Sequence, residues 1–411
     1  MTRRVGVIGA GMLGLATAWY LQEPGAEVTV LDRRGVAAGA SWGNAGWITP
    51  ALVSPLADPK LLRYGLAAVV KPSSPVYVPL RPDLGLLGFL ARFTRNCTAG
   101  RFRAGLDALA GLSRGAAAAF DALTDGAAAG EAVRRGPIIA CARRDEELAD
   151  LLAELQHAAQ LGLPVAHDRL TGAEAREVVP ILSGAVGAAV RLADHRFIDP
   201  GRLLDRVARS VRARGGTILE SLAALDIHAD GGGVTVLTGG EPVRFDTVVV
   251  ATGTWMPHLA RKFGVRTRIQ AGRGYSFSVP TDWAPSTPIY FPAHRVACTP
   301  LDDRLRIAGT MEFRRPEAAP DERRVRAIAD AARPFLSEVD VDKRADTWVG
   351  ARPCTPDGLP LIGPTASDRV WVAGGHGMWG ITLGAVTGEL VARAVMTGAR
   401  PAQLAPFNPL R

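Results

Sequence analysis

The apolar residues at the start of the chain predict a strand, a helix and a second strand. Residues 4–8 and 28–31 are short apolar runs of strand length, and residues 15–21 between them form an apolar stretch of helical type. The segment 9–14, which reads Gly-Ala-Gly-Met-Leu-Gly, joins the first strand to the helix. A strand, a Gly-x-Gly-x-x-Gly turn, a helix and a strand in this order predict a βαβ unit that binds a dinucleotide.

Four residues of this unit have separate physical roles in such binding. Gly9 allows the chain to turn sharply out of the strand, and Gly11 has no side chain to hold the backbone away from a pyrophosphate. Gly14 lets the helix pack closely on the sheet, and the helix N-terminus offers unpaired N–H groups to the phosphates. Asp32 ends the second strand, where it can accept hydrogen bonds from a ribose hydroxyl. An acid at this position favours FAD or NAD over NADP.

The remaining apolar pattern predicts an α/β (α+β mixed) chain. Residues 247–251 and 370–373 are two further strands of the buried parallel kind, and each leads into a Gly-containing turn and a helix. Residues 265–308 alternate short β-branched or aromatic runs with Pro and Gly, which predicts an antiparallel sheet. Residues 84–124 have apolar positions at helical spacing and predict two or three helices. We therefore expect a Rossmann-type domain interleaved with an antiparallel-sheet domain.

Composition and charge narrow the range of partners. The formal net charge of +8 is spread over 411 residues rather than gathered in a tail, so we expect a small-molecule substrate and no nucleic-acid partner. The four cysteines are scattered without a Cys-x-x-Cys motif, which argues against a metal site and fits a reducing cytoplasm. No apolar run reaches membrane-spanning length. The glycines of 9–14 also argue against a secretory signal. We expect a cytoplasmic protein, with peripheral association at the inner face of the membrane left open.

Several motifs together resemble the FAD-dependent D-amino-acid oxidase superfamily, and within it the bacterial D-amino-acid dehydrogenase branch. The two specific motifs are the Arg-Pro-x-Thr-Pro-Asp-Gly-x-Pro stretch at 352–360 and the Gly-His-Gly turn at 375–377. The more general matches span almost the whole chain; they are residues 9–14 with Asp32, 41–46, 248–255, 272–275, 309–312 and 350–363.

The resemblance implies two domains built from alternating segments. The FAD-binding domain would comprise residues 1–50, 135–225, 245–265 and 345–411. The substrate domain would comprise residues 51–134, 226–244 and 266–344. The three separate strand, Gly-turn and helix units agree with a Rossmann-type domain assembled from distant parts of the chain.

The resemblance also implies non-covalent FAD and a set of residues around it. Cys354 does not have the spacing of the cysteine that holds flavin covalently in sarcosine oxidases of this superfamily. The helix near Gly380 would direct its positive end at the flavin edge that becomes anionic on reduction. The expected cofactor-binding residues are Gly9, Ala10, Gly11, Met12, Leu13, Gly14, Asp32, Arg33, Ser41, Asn44, Ala45, Gly46, Ala224, Thr252, Gly253, Trp255, Gly375, His376, Gly377, Met378 and Gly380.

The implied reaction is the oxidative deamination of a D-amino acid. A hydride leaves Cα for flavin N5, and water hydrolyses the imino acid to a 2-oxo acid and ammonia. The site then needs a cation for the substrate carboxylate, preferably a bidentate Arg. Arg352 is the first candidate and Arg295 the second, although Arg352 could instead form a structural ion pair with Asp357. Tyr275 could donate to the carboxylate or be a packed aromatic residue.

Other readings stay open at this stage. His376 is expected to contact flavin or substrate. The substrate could instead be a cyclic imino acid or secondary amine, such as D-proline, hydroxy-D-proline, sarcosine or glycine. The chain could also be a flavoprotein subunit of an electron-transfer complex. The electron acceptor could be a quinone, another acceptor or oxygen.

Overall fold

The computed structural model describes residues 2–60, 73–79, 83–127, 133–281 and 285–411. Parts of the segment 51–134, which was predicted to open the substrate domain, lie outside the described residues; these parts are 61–72, 80–82 and 128–132.

The strands and helices below are numbered in chain order over these residues. The strands are β1 (Arg4–Ile8), β2 (Glu27–Leu31), β3 (Trp47–Ile48), β4 (Val76–Tyr77), β5 (Val133–Ala142), β6 (His167–Thr171), β7 (Ala188–Ile198), β8 (Thr217–Leu219), β9 (Ala224–Asp230), β10 (Gly233–Thr238), β11 (Val243–Phe245), β12 (Thr247–Val250), β13 (Gln270–Pro280), β14 (Ile289–Phe291), β15 (Val296–Leu301), β16 (Arg304–Phe313), β17 (Ala345–Cys354), β18 (Leu361–Pro364) and β19 (Val370–Gly374). The α-helices are α1 (Met12–Gln22), α2 (Leu84–Asn96), α3 (Ala99–Ser113), α4 (Ala116–Ala127), α5 (Ala149–Gln160), α6 (Gly172–Val178), α7 (Pro200–Ala213), α8 (Met256–Ala260), α9 (Glu322–Ala332) and α10 (Gly380–Thr397).

A six-stranded sheet forms the centre of the first domain. Its order is β18-β19-β12-β1-β2-β8, and all neighbouring pairs are parallel except β18 with β19. β12, apart from Thr247, and β19 are apolar, and every residue of both strands is buried, as expected for strands covered on both faces. On one face, α1 and α10 pack in a shared apolar core. The sheet formed by β9, β10 and β11 covers the other face. This confirms the Rossmann-type domain predicted from the three strand, turn and helix units.

A larger, mostly antiparallel sheet forms the second domain. Its order is β17-β13-β16-β15-β14-β5-β7-β3, with β4 beside β16 and β6 beside β7. Tyr275, Phe277 and Val279 alternate along β13 into an apolar core that α9 covers. The antiparallel sheet predicted from residues 265–308 is confirmed, and it extends to strands far outside that range.

Strand pairing divides the chain differently from the predicted domain boundaries. β5 and β7 lie in the segment 135–225, which was predicted to belong to the FAD-binding domain. They pair with each other and β5 pairs with β14, so both belong to the antiparallel sheet. The physical reason is long-range pairing, which the local apolar pattern of a strand does not reveal.

Two further segments also differ from the predicted boundaries. α3 and α4 lie in 51–134, yet their apolar faces pack with α10 in the core of the first domain. The 226–244 segment was predicted to be in the substrate domain, but its strands cover the parallel sheet, with Ile227 and Val236 against Ile8 and Val248.

Candidate active site

A cavity of about 350 Å³ lies where the two sheets meet. Ile8, Leu31 and Ala251 mark the carboxyl ends of β1, β2 and β12 on one wall, which is where ligands bind in open parallel sheets. Ala351, Arg352 and Pro353 of β17 come from the antiparallel sheet. The predicted site residues that line this cavity are Gly9, Gly11, Met12, Leu13, Asp32, Arg33, Ser41, Asn44, Ala224, Thr252, Gly253, Trp255, Arg352, His376, Gly377, Met378 and Gly380.

The first turn of the Rossmann unit has the geometry that its glycines predict. Gly9 has a φ of +113°, which L side chains rarely adopt. A Cβ on Gly14 would lie 1.8 Å from the carbonyl oxygen of Gly9, so the helix could not approach the strand this closely with any other residue. Gly11 is the N-cap of α1 and offers no side-chain oxygen to the first turn. The N–H of Met12 donates to the Ser41 hydroxyl at 3.2 Å, and Gly11 places no side chain between this backbone and the cavity.

Asp32 holds the walls of the cavity together in addition to lining it. Its Oδ2 accepts a hydrogen bond from the N–H of Ala10 at 2.8 Å. Its Oδ1 accepts from the N–H groups of Arg34 at 2.8 Å and Gly35 at 3.0 Å. The carboxylate thus joins the glycine turn to the loop after β2. A carboxylate oxygen can accept more than one hydrogen bond, so Asp32 keeps capacity for a ribose hydroxyl.

The N-terminus of a second helix faces the same cavity. α10 begins at Gly380, and its N-cap residue Trp379 makes no side-chain cap hydrogen bond. Gly380 and Ile381 line the cavity, as Met12 and Leu13 of α1 do. Two helix N-termini without acidic residues in their first turns give the cavity a positive electrostatic potential at both places. These features fit a cofactor with a pyrophosphate and a ring that becomes anionic on reduction.

His376 lines the cavity, but its ring is bound to the protein. Its Nε2 lies 3.0 Å from the Thr387 hydroxyl of α10, in the buried interior. Burial lowers the pKa of His376 to about 3, so the imidazole is neutral at physiological pH. The turn itself is fixed because the N–H of Gly377 donates to the carbonyl of Pro353 at 2.9 Å. The turn is therefore tied on one side to α10 and on the other to the strand that carries Arg352.

Arg352 presents a partly buried guanidinium to the cavity. Its Nη1 donates to the carbonyl of Thr310 at 3.0 Å, and it forms no ion pair with a carboxylate among the described residues. A Cβ on Gly274 would lie 2.2 Å from its Cζ, so a glycine at that position of β13 is required for the guanidinium to lie there. Burial lowers the pKa of Arg352, yet a guanidinium remains protonated. The alternative ion pair with Asp357 is not formed, because Asp357 binds Arg411 at 2.9 Å.

Tyr275 is not at the cavity. Its hydroxyl donates to Glu312 Oε1 at 2.6 Å and accepts from the N–H of Asp321 at 3.2 Å. Glu312 in turn pairs with Arg273 at 3.0 Å, and all three side chains are fully buried. Successive residues of a strand point to opposite faces, so Tyr275 points into the core of the second domain. The predicted contact of Tyr275 with a substrate carboxylate is therefore not supported.

Arg295 also does not line the cavity. It follows β14 in a left-handed conformation with φ +54° and is exposed. Tyr290, Glu154 and Asp58 are its ionisable neighbours. The sheet order explains this position, because β14 and β15 are separated from β17 by β13 and β16. Arg352 is therefore the better candidate of the two arginines.

Five predicted cofactor residues are not brought to the cavity surface. These are Ala10, Gly14, Ala45, Gly46 and Gly375, none of which is among the residues that line the cavity. Gly46, for example, has φ +79°, and a Cβ there would lie 2.1 Å from the carbonyl oxygen of Ile198.

Sequence reasoning missed the segment 38–40 and the β17 neighbours of Arg352. Ala38, Gly39 and Ala40 line the cavity immediately before Ser41, and their small side chains were the available signal. Other unpredicted lining residues are Ile8, Leu31, Arg34, Leu225, Ala251, Thr254, His258, Leu259, Ala351, Pro353 and Ile381. Arg33 was predicted, and its guanidinium carbon lies 3.8 Å from the centre of the Trp255 ring.

Cys354 is not placed to attach a cofactor covalently. Its thiol is buried next to β13, where a Cβ on Gly272 would lie 2.7 Å from its sulfur. Burial raises the pKa of this thiol to about 12, so it stays protonated and unreactive.

The fold and the cavity together define a flavoprotein-type oxidoreductase, with a Rossmann-type cofactor domain and a cation on the opposing sheet. The chain belongs to the family described as FAD dependent oxidoreductase (DAO), whose sequence model matches residues 4–394. FAD is thus its cofactor, and the protein is an FAD-dependent oxidoreductase.

Curated relatives share almost the whole length of the chain. A D-amino acid dehydrogenase from Paramagnetospirillum magneticum is 33% identical over 412 residues, which cover 95% of this chain and 94% of the relative. A D-amino acid dehydrogenase from Chromohalobacter salexigens is 29% identical over 406 residues, with 96% of each protein covered. These similarities support the FAD-dependent oxidation of an amino acid.

Solved structures show the same fold. Glycine oxidase from Bacillus cereus is similar with a TM-score of 0.74 at 21% identity, covering 100% of this chain and 99% of that chain. L-proline dehydrogenase from P. horikoshii is similar with a TM-score of 0.72 at 18% identity, covering 100% of this chain and 97% of that chain. Within the described ranges, no His, Cys, Asp and Glu side chains are grouped to hold a metal ion. No helix in those ranges has the length and apolar character needed to cross a membrane.

Proposed function

We propose that the protein oxidises a D-amino acid to its 2-oxo acid and ammonia. The Cα–H leaves as a hydride, the amine nitrogen becomes an imine, and water hydrolyses the imino acid. FAD, when bound, supplies the acceptor for the hydride and its electron pair. The D-amino acid dehydrogenases that cover almost the whole chain support this substrate class.

One observation carries the proposal: the Arg352 guanidinium faces the cavity from a partly buried position without a carboxylate partner among the described residues. A buried cation is costly unless it is paired. The α-carboxylate of an amino acid supplies the missing charge, and the planar fork of Arg binds both of its oxygens. The carbonyl of Thr310 orients the fork by accepting one of its N–H groups.

The ionisable residues around the cavity support hydride loss from a neutral amine. His376 is a weak base because burial lowers its pKa to about 3, and its Nε2 is bound to Thr387. Asp32 binds backbone N–H groups at the end of β2, away from β17. No residue on the described cavity wall beside Arg352 is therefore a strong base for a Cα proton. The role of the chain is to orient the substrate and to exclude water rather than to remove the proton.

The residues present fit FAD along the cavity. The Gly9–Gly14 turn and the N-terminus of α1 would hold the pyrophosphate, with Asp32 at the ribose. The N-terminus of α10 would stabilise negative charge on the flavin ring. Residues of the Gly-rich turn at 375–377 would contact the ring through backbone atoms.

A quinone or another organic acceptor is the proposed electron acceptor, because the relatives are named dehydrogenases. This is tested by following the reoxidation of the reduced protein in air and with a soluble quinone. Reoxidation in air as fast as turnover would instead indicate an oxidase.

The substrate class is tested by anaerobic bleaching of the bound flavin. The panel contains D-amino acids, their L-enantiomers, D-proline, hydroxy-D-proline, sarcosine and glycine. We expect D-amino acids to bleach the flavin fastest. Faster bleaching by the secondary amines would indicate that the substrate is an imino acid or another secondary amine rather than a D-amino acid. No bleaching by any compound would favour a flavoprotein subunit that relays electrons.

A further inference from the structure

We propose that four side chains of the antiparallel sheet hold the loop 41–46 in a fixed position relative to Arg352. We call this segment the cofactor loop, and its residues Ser41 and Asn44 line the cavity. The four side chains, which we call the sheet clamp, belong to Trp348, Ser276, Arg306 and Thr299. None of them lines the cavity, so they are positioning residues rather than catalytic ones. The proposal rests on the proposed function only for the part of its test that uses a substrate.

The clamp side chains share one face of the sheet. Ser276 is paired with Trp348, and Arg306 is paired with Thr299, across neighbouring strands. Ser276 is also paired with Ala308, which lies two residues from Arg306. Paired residues point to the same face, as do residues two apart in a strand. The adjacent strands β17, β13, β16 and β15 therefore each contribute one side chain to the clamp.

Three of the clamp side chains bind backbone carbonyls of the cofactor loop. The donor and carbonyl pairs are Arg306 Nη1 with Trp42 at 3.0 Å, Ser276 Oγ with Gly43 at 2.8 Å and Thr299 Oγ1 with Ala45 at 2.7 Å. All three side chains are buried, so water does not compete for these hydrogen bonds. The loop is thus bound to the second domain almost residue by residue.

The fourth clamp residue, Trp348, packs against the loop. A Cβ on Gly43 would lie 2.3 Å from Cδ2 of Trp348, and a Cβ on Gly350 would lie 1.9 Å from Cη2 of the same indole. The indole therefore lies between the cofactor loop and its own strand. Arg352 follows Gly350 on the same face of β17. One strand thus carries both a contact to the loop and the guanidinium that faces the cavity.

Arg306 indicates that this arrangement serves the site rather than the core. It is buried, and its Nε and Nη2 have no hydrogen-bond partner within the described ranges. The nearby carboxylate of Asp199 binds Arg304 at 3.0 Å instead. A buried cation without a charge partner costs free energy that an apolar side chain would not. Its hydrogen bond to Trp42, and the stacking of its guanidinium carbon 4.7 Å from the centre of the Trp42 ring, give it a role at the loop.

The clamp fixes a distance on which the reaction depends. The cofactor loop is part of the cavity wall that FAD would occupy, and Arg352 is the proposed ligand of the substrate carboxylate. Reacting atoms have to lie about 3–3.5 Å apart, and small displacements lower the rate steeply. Weakening the clamp should therefore slow flavin reduction more than it weakens substrate binding.

The first test measures the cofactor loop itself, by hydrogen exchange of the peptide 41–47 in the FAD-loaded protein. Thr299→Val keeps the shape of the side chain without its hydroxyl, whereas Thr299→Ser keeps the hydroxyl. In Thr299→Val we expect exchange to be about threefold to tenfold faster, the effect of one lost hydrogen bond on local opening. Thr299→Ser should exchange like the wild type. Equal exchange in Thr299→Val and the wild type would overturn the proposal.

Two serines provide a matched control for general packing. Ser276 and Ser278 lie on the same face of β13 and are both buried, but the Ser278 hydroxyl has no hydrogen-bond partner among the described residues. Ser276→Ala should raise both the loop exchange rate and the FAD Kd by about threefold to tenfold. Ser278→Ala should change neither. Equal effects of the two substitutions would assign the loss to packing and would overturn the proposal.

The second test separates the position of the loop from substrate binding. Anaerobic stopped-flow reduction by a D-amino acid gives a limiting rate and a substrate Kd. In Ser276→Ala and Thr299→Val we expect the limiting rate to fall by roughly tenfold or more, with little change in substrate Kd. A raised substrate Kd at an unchanged limiting rate would overturn the proposal. If D-amino acids do not reduce the wild type, the proposed function fails, and the exchange rate and FAD Kd decide the clamp without a substrate.

The role of Trp348 is tested through the glycine beneath it. Gly350→Ala forces the indole toward the cofactor loop, so the FAD Kd should rise by at least about threefold. Gly350→Ala/Trp348→Phe has a smaller ring and should recover part of this loss. Gly184→Ala is the control, because a Cβ at Gly184 meets no atom within 4 Å. An unchanged FAD Kd in Gly350→Ala would show that Trp348 does not hold the loop.

Discussion

Arg352 donates a hydrogen bond to the carbonyl of Thr310, and Thr310 has a left-handed backbone with φ +54°. Thr310 lies at a β-bulge, where the pairing of β13 with β16 shifts between Arg273 and Tyr275. A bulge turns a backbone group out of the regular ladder and often lies next to an active site. Here it directs a carbonyl at the guanidinium that faces the cavity.

The bulge is held by buried charged residues on both sides. The N–H of Met311 donates to the carbonyl of Pro75 at 2.7 Å, and the carbonyl of Met311 accepts from Arg324 Nη2 at 3.2 Å. The next residue, Glu312, binds Arg273 and the hydroxyl of Tyr275. A non-glycine residue in a left-handed conformation persists only where its surroundings determine it. The buried cluster therefore positions Arg352 through Thr310.

The first prediction concerns Tyr275→Phe. Removing the hydroxyl leaves Glu312 with one partner fewer, so we expect unfolding by denaturant to show a loss of about 1–3 kcal/mol. The KM for D-amino acids should rise less than tenfold, because Tyr275 does not touch the cavity. A large rise in KM without a change in stability would instead indicate that Tyr275 binds the substrate carboxylate. Phe277→Leu in the same core is the control for general loosening of the sheet.

The sequence predicted those parts of the site that depend on local spacing. The glycine turn and Asp32 follow from residue types that a dinucleotide requires at fixed positions, whereas Arg352 was suggested by the family resemblance of the motif at 352–360. Tyr275 was misplaced because β13 is buried on both faces, so alternation alone does not tell which face meets the cavity. The position of Arg295 and the domain boundaries could not be predicted in the same way, because both depend on strand order. Strand order is set by pairing between distant segments such as β5 and β14.

Asp32→Ala is predicted to weaken FAD retention. The substitution removes a ribose partner and also three hydrogen bonds that hold the glycine turn and the following loop. We expect purified variant protein to lose FAD on gel filtration and its FAD Kd to rise by at least tenfold. Asp32→Asn keeps the shape of the side chain but can accept hydrogen bonds with one oxygen only. Its FAD Kd should therefore lie between those of the wild type and Asp32→Ala. Full occupancy and unchanged Kd in Asp32→Ala would contradict this role.

His376 is predicted to link stability to pH. Its pKa is about 3 in the folded protein and 6.5 is the ordinary value, so the unfolded chain binds a proton that the folded protein excludes. The resulting stability is present above pH 6.5 and is lost as the pH falls toward 3. Between pH 7.5 and pH 5 the loss should be roughly 2 kcal/mol. His376→Gln should show a smaller loss over that range, measured by denaturant unfolding.

The result for His376→Gln is interpreted against a second histidine. Burial also lowers the pKa of His195, to about 4, and this contribution remains in the variant. An unchanged pH dependence in His376→Gln would mean that His376 is not buried in its neutral form. His195→Gln should reduce the pH dependence independently, because the two residues lie in different domains.

The last prediction concerns recognition of the substrate carboxylate by Arg352. Arg352→Ala leaves that carboxylate without its charge partner, and the expected loss in kcat/KM corresponds to about 2–5 kcal/mol. Arg352→Lys keeps the charge but loses the planar fork, so it should recover only part of this loss. Amines that lack a carboxylate should be affected much less, and FAD content should stay normal. Arg411→Lys, which changes an arginine already paired with Asp357, is the matched control and should leave both substrate classes unchanged. An equal fall for both classes in Arg352→Ala, or loss of FAD, would show that Arg352 is structural and would make Arg295 the next candidate.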